Sequence, residues 1–123
     1  MNAISLERLG KVHPKLRMLM IEAAKTCPLA FEISEGMRTK ARQKTLFDAG
    51  ASMTMNSRHL TGHAVDIFVT INGKIRWDWP LYVKAGEHIK AVAVTLGIPI
   101  VWGGDWRKLR DGPHYEMDRR TYP

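Results

Sequence analysis

The sequence predicts an α+β domain with a small, mostly antiparallel sheet, helices packed on one face and an open cleft on the other. Three observations carry this. Two long stretches repeat apolar residues at helical spacing, around Leu16–Cys27 and Tyr82–Leu96. Segments rich in β-branched residues lie between and after them, one closed by Asn72-Gly73, the strongest short-range hairpin signal. Finally, helices and strands do not alternate regularly, which argues against a parallel sheet of βαβ units.

Taken in order, Ser5–Leu9 reads as a short helix that Gly10 interrupts. Pro14 then opens a second helix at the position where its missing N–H costs nothing. Leu16, Leu19, Met20, Ala23, Ala24 and Cys27 line one face, Pro28 ends it, and His13 is read as a surface or capping residue. Cys27, the single cysteine, is read as a core thiol. Phe31–Glu35 alternates as a half-buried strand, and Gly36-Met37-Arg38 leads to Thr39, a cap for a helix reaching about Ala49 with Leu46 and Phe47 inward. Arg38 at this corner can be solvated or can point into a cleft; spacing leaves both open.

Residues 51–56 suit a loop. The stretch from Gly62 to Ile71 is a strand, and Lys74–Trp77 is its return. Its period of two puts Ala64, Asp66 and Phe68 on one face and His63, Val65 and Ile67 on the other, so His63 points away from Asp66 while His59, beyond the Thr61-Gly62 bend, can swing back towards it. Asp78-Trp79-Pro80 opens the long helix that ends at Gly97, leaving His88 off the apolar stripe and exposed. Ile98–Trp102 is a strand held to an edge by Pro99, Gly103–Trp106 a turn, residues 107–112 a loop, and Pro113–Met117 a last strand.

One domain fills the 123 residues, with no apolar run long enough to span a bilayer, so stable membrane insertion is not expected. The N-terminus lacks a basic and an apolar signal region. Nineteen Lys and Arg against twelve Asp and Glu give +7, which favours an anionic partner, but the charges are scattered and no nucleic-acid motif accompanies them.

The chemistry concentrates in two places. His59 and Asp66, with His114 far along the chain, supply the three His and carboxylate ligands that a catalytic Zn2+ commonly takes, with a fourth position left for water. Asp111, brought close by the Gly112-Pro113 turn, is the best candidate for the group that moves protons to the leaving amine. Glu116 competes for that role or orients an imidazole instead.

Ser57-Arg58-His59-x-x-Gly62-x-Ala64-x-Asp66 closely resembles the first motif of the D-alanyl-D-alanine carboxypeptidase and dipeptidase-like zinc metallopeptidases, and Asp111-x-x-His114 their second. Glu35-Gly36-x-Arg38-Thr39, Trp102-Gly103-Gly104-Asp105-Trp106 and Asp111-x-Pro113-His114-Tyr115-Glu116 look specifically like the L-alanyl-D-glutamate endopeptidases that phages use as endolysins. The resemblance runs from about Ser5 to Met117. It implies a Hedgehog/DD-peptidase-like fold, zinc on His59, Asp66 and His114, and Asp111 as general base and acid. It also implies Arg38 near the substrate carbonyl, Ser57 beside the site, and Trp102, Asp105 and Trp106 along the cleft, although tryptophans more commonly serve as core anchors.

The implied protein is a monomeric endolysin without a separate wall-binding domain. It would wait in the host cytoplasm until holin lesions release it, then cut the L-Ala–D-Glu amide of peptidoglycan. A D-Ala-D-Ala carboxypeptidase or dipeptidase, and a noncatalytic zinc-binding module of the same fold, are the alternatives.

Overall fold

A computed structural model describes residues 1–123. Helix α1 (Ala3–Arg8) is capped by Asn2, whose side chain accepts from the Ser5 N–H. Helix α2 (Pro14–Thr26) starts on the His13 side chain, which accepts from the Lys15 N–H, as a capping residue should. Strand β1 (Ala30–Glu35), helix α3 (Lys40–Asp48) and strand β2 (Ala64–Ile71) follow. Strand β3 (Lys74–Arg76) completes the hairpin, with Asn72 and Gly73 both at positive φ, as its tight turn demands. Helix α4 (Trp79–Leu96) ends on a left-handed Gly97. Strands β4 (Ile100–Trp102) and β5 (His114–Met117) close the chain.

The sheet runs β1-β2-β5-β4, with β3 paired to the distal half of β2, and every pairing is antiparallel. Its alternation sets the whole design. Val65, Ile67, Tyr115 and Met117 are fully buried towards α2 and α4, beside Leu16, Leu19, Met20, Tyr82, Ala85 and Ile89. Asp66, His114 and Glu116 take the opposite parity on the same two strands. Asp66 stands directly between Glu35 of β1 and His114 of β5, so the register itself lines up a carboxylate, a carboxylate and an imidazole across three strands.

Four expectations change. Phe47 is 43% exposed, and the buried residue of α3 is Gln43 instead. Cys27 is only half-buried, against the rim of the core. His88 is not free in solvent: its Nε2 lies 2.8 Å from Thr26 Oγ1 and ties α4 to the end of α2. Leu96, placed on the apolar stripe, is exposed.

Candidate metal centre and cleft

His59 sits in a short 3-10 turn, Arg58–Thr61. Ser57 caps that turn, its Oγ accepting from the His59 N–H at 3.2 Å, and left-handed Gly62 ends it. Gly62 is obligatory twice over, because a Cβ there would also come within 2.7 Å of the Lys11 carbonyl oxygen. The turn therefore reverses the chain against the α1–α2 corner and drops His59, 2% exposed, beside Asp66.

The imidazoles are oriented by what holds their far nitrogens. His59 Nδ1 lies 2.8 Å from the Gly36 carbonyl; a carbonyl only accepts, so Nδ1 carries the proton and Nε2 keeps its lone pair. That Nε2 is buried and makes no hydrogen bond, although Asp66 Oδ2 lies 3.3 Å away, because a bare ring nitrogen and a carboxylate oxygen both accept and neither donates. His114 Nε2 lies 2.9 Å from Glu116 Oε1, which leaves Nδ1 facing Asp66 Oδ1 at 3.1 Å.

One donor atom from each of His59, Asp66 and His114 lies within 4.8 Å of the others. Ligands sharing a tetrahedral ion at ~2.1 Å stand about 3.4 Å apart, so these spacings suit one small cation. The donor set fits zinc chemistry, and the orphaned His59 Nε2 is the atom that most needs such a partner.

Electrostatics agree with the geometry. Burial would raise the Asp66 carboxyl, but contacts with His114 and His59 outweigh it and hold it well below the usual carboxylate range. Burial would lower His114, yet hydrogen bonds to Asp66 and Glu116 push it up to about 9. An imidazole between two carboxylates keeps both protons, and a cation would have to displace the one on Nδ1.

These groups form the floor of an open cleft of about 670 Å³. Arg38, 8% exposed, reaches it from the β1–α3 corner. Glu35 accepts from its Nε at 2.9 Å and from Nη2 at 2.8 Å, Gln43 Oε1 accepts from Nη1 at 2.7 Å, and Asp66 Oδ2 lies 3.7 Å from Nη2. Gln43 in turn donates to Ser52 Oγ at 2.7 Å and the Thr54 carbonyl at 2.5 Å, so one buried amide ties the arginine to the cleft rim. Sequence reasoning missed Gln43, since a glutamine on a polar helix carries no burial signal.

Asp111 lines the cleft beside His114. Burial first, then the Asp66 charge, raise its carboxyl above the ordinary value. Its backbone is fixed by hydrogen bonds with Gly103 and His114, and a Cβ on Gly103 would strike the Asp111 carbonyl at 2.4 Å. Trp106 also lines the cleft, its ring centroid 5.2 Å from that of His114.

The other two aromatic-segment expectations are corrected. Trp102 is 4% exposed, and its Nε1 donates to the Gly112 carbonyl at 2.7 Å. Gly86 and Gly104 press on its ring so closely that a Cβ on either would lie within 2.8 Å, so those glycines accommodate a core tryptophan and not a bound peptide. Asp105 turns outward to Lys90 at 2.9 Å. The glycine inside α4 was the available sign that something large would pack there.

Fold and site together define a class: an open-sheet α+β hydrolase domain with a His–Asp–His group able to hold a metal, faced by a carboxylate and an anchored arginine. The model of the phage L-alanyl-D-glutamate peptidase family matches residues 1–123, and the chain belongs to that family.

Among its relatives, an L-alanyl-D-glutamate peptidase of Escherichia phage T5 is 33% identical over 122 residues, covering 96% of this chain and 88% of the relative. One of Listeria phage A118 is 40% identical over 90 residues, 73% of this chain. The chain spans only 31% of that protein's length. The crystal structure of the Serratia marcescens L-Ala D-Glu endopeptidase ChiX superposes with a TM-score of 0.94 at 41% identity, covering all of this chain and 92% of that one.

Proposed function

We propose that this chain is a zinc-dependent endopeptidase that hydrolyses the L-Ala–D-Glu amide of bacterial peptidoglycan stem peptides. The observation that carries the reading is the convergence of His59 Nε2, the Asp66 carboxylate and His114 Nδ1 on one point at the floor of an open cleft. His59, Asp66 and His114 would hold the ion, which when bound supplies Lewis acidity to water and to the scissile carbonyl.

The remaining work falls to side chains. Gly36 and Glu116 fix the two imidazoles in the orientation that offers His59 Nε2 and His114 Nδ1. Asp111 lines the same cleft without belonging to the ligand set, where it would accept a proton from water and return it to the leaving nitrogen. Arg38 is held by Glu35 and Gln43 before substrate arrives, so its charge can stabilise a developing oxyanion without reorganising. Ser57 orients the ligand turn, and Trp106 offers a ring to the peptide from the rim.

The phage relatives support a role in host lysis; in this reading the protein would reach the wall from the cytoplasm through holin lesions. Mass analysis of purified peptidoglycan digests tests the reaction. New N-terminal D-Glu is the expected product; release of D-Ala or its dipeptide would replace this reading with a carboxypeptidase or dipeptidase.

A further inference from the structure

Four arginines line the cleft, and three are engaged. Arg38 is clamped by Glu35 and Gln43, Arg58 donates to the Met117 and Tyr122 carbonyls, and Arg119 lies 3.5 Å from Glu116 Oε2. Arg110 differs. Its Nε donates to the Trp106 carbonyl at 3.2 Å, which steadies the side chain, while no carboxylate pairs with any of its nitrogens and both terminal ones are free of hydrogen bonds.

The loop is bent to achieve this. Leu109 sits at φ +53°, a left-handed conformation that costs a leucine of order 1–2 kcal/mol, immediately before Arg110 folds back onto the Trp106 carbonyl. In the proposed reaction Asp111 has to reach the departing nitrogen, and Arg110, its neighbour in the chain and in the cleft lining, presents its unpaired donors from the same stretch of wall.

We infer that Arg110 reads the free carboxylate of the D-Glu residue on the leaving side of the scissile amide, making the enzyme selective for D-Glu over its amidated counterpart. The inference rests on the proposed L-Ala–D-Glu reaction and adds to it. Glutamate has two carboxyl groups; whichever one carries the chain onward, the other stays free unless amidated, and one of them is borne by the same carbon as the leaving nitrogen. An arginine fork matches a carboxylate with two parallel hydrogen bonds, and it gains only one from a carboxamide while leaving an N–H against an N–H.

The test uses the zinc-loaded full chain and two synthetic peptides, L-Ala–γ-D-Glu–L-Lys and the same peptide with the free glutamyl carboxyl amidated. The unaltered protein is expected to favour the acid by roughly tenfold or more in kcat/KM, mainly through KM. Arg110→Ala should bring that ratio near unity, with the loss falling on the acid peptide, whereas Lys108→Ala, beyond the cleft lining, should keep it. A ratio that survives Arg110→Ala, or an unaltered protein that cuts both peptides equally, overturns this assignment while leaving the endopeptidase reading intact. Failure to cut either peptide at the L-Ala–D-Glu bond overturns the reading itself.

Discussion

The two faces of β2 and β5 are made by the same eight-and-four residue strands and obey opposite rules. On one, Val65, Ile67, Tyr115 and Met117 bury apolar surface against α2 and α4 and hold the fold together. On the other, Asp66, His114 and Glu116 crowd ionisable groups into a partly dry cleft, an arrangement that favours chemistry over stability. One residue of slip in register would exchange them. Fold and site therefore share a backbone but should fail separately under substitution.

The largest separation is expected from Asp111→Ala. Hydrolysis of peptidoglycan should fall by ~10²–10⁴-fold while one zinc per chain remains bound, read by turnover and metal analysis. Retained lysis at the unaltered rate would remove Asp111 from the mechanism. Ile67→Ala attacks the other face: chemical denaturation should show about 2–5 kcal/mol lost, with the zinc content of the folded fraction unchanged.

Glu116→Gln is subtler, because it keeps the shape beside His114 and removes the charge; zinc affinity should weaken by ~10–100-fold in chelator competition, with the apolar core untouched. An unaltered affinity would reduce Glu116 to a bystander.

The smallest effect is the pH dependence of the metal-free protein. His114 is raised from 6.5 to about 9, so its contribution to stability is complete below 6.5 and is lost as pH rises through 9. Melting temperature without metal should therefore decline from pH 6.5 to 9. With zinc in excess the trend should reverse over the same range, because a ligand must shed the proton that stabilises the empty site.

Much of the fold was legible because its signals are local. Asn72-Gly73 announced the hairpin, Gly97 the end of α4, and the parity of β2 correctly parted His59 from His63. His63 indeed turns aside, with Nδ1 2.7 Å from Thr61 Oγ1. The residues of the group that could hold a metal were legible too, through the family resemblance of the motif that contains them.

What escaped the sequence depends on partners distant along the chain. Gln43 is buried because Arg38 on one side and the Ser52 hydroxyl and Thr54 carbonyl on the other need an amide between them. Phe47 is apolar, yet α3 turns its polar Gln43 inward and leaves Phe47 exposed. The resemblance puts Trp102 along the cleft, in the segment just before the loop that carries Asp111; what decides otherwise is the gap left by Gly86, sixteen positions earlier.

Arg58 gives the architecture one more property. Its guanidinium fastens the turn that carries His59 to the carbonyls of Met117, the last residue of the strand that carries His114, and of Tyr122 beyond it. The two ends of the interval from 59 to 114 are thus pinned to each other independently of what lies between. Topologically, the hairpin tip at Asn72-Gly73 is a detour whose length does not set the spacing of His59 and His114. It is where this scaffold can accept inserted sequence, and so acquire new attachments, without retuning its chemistry.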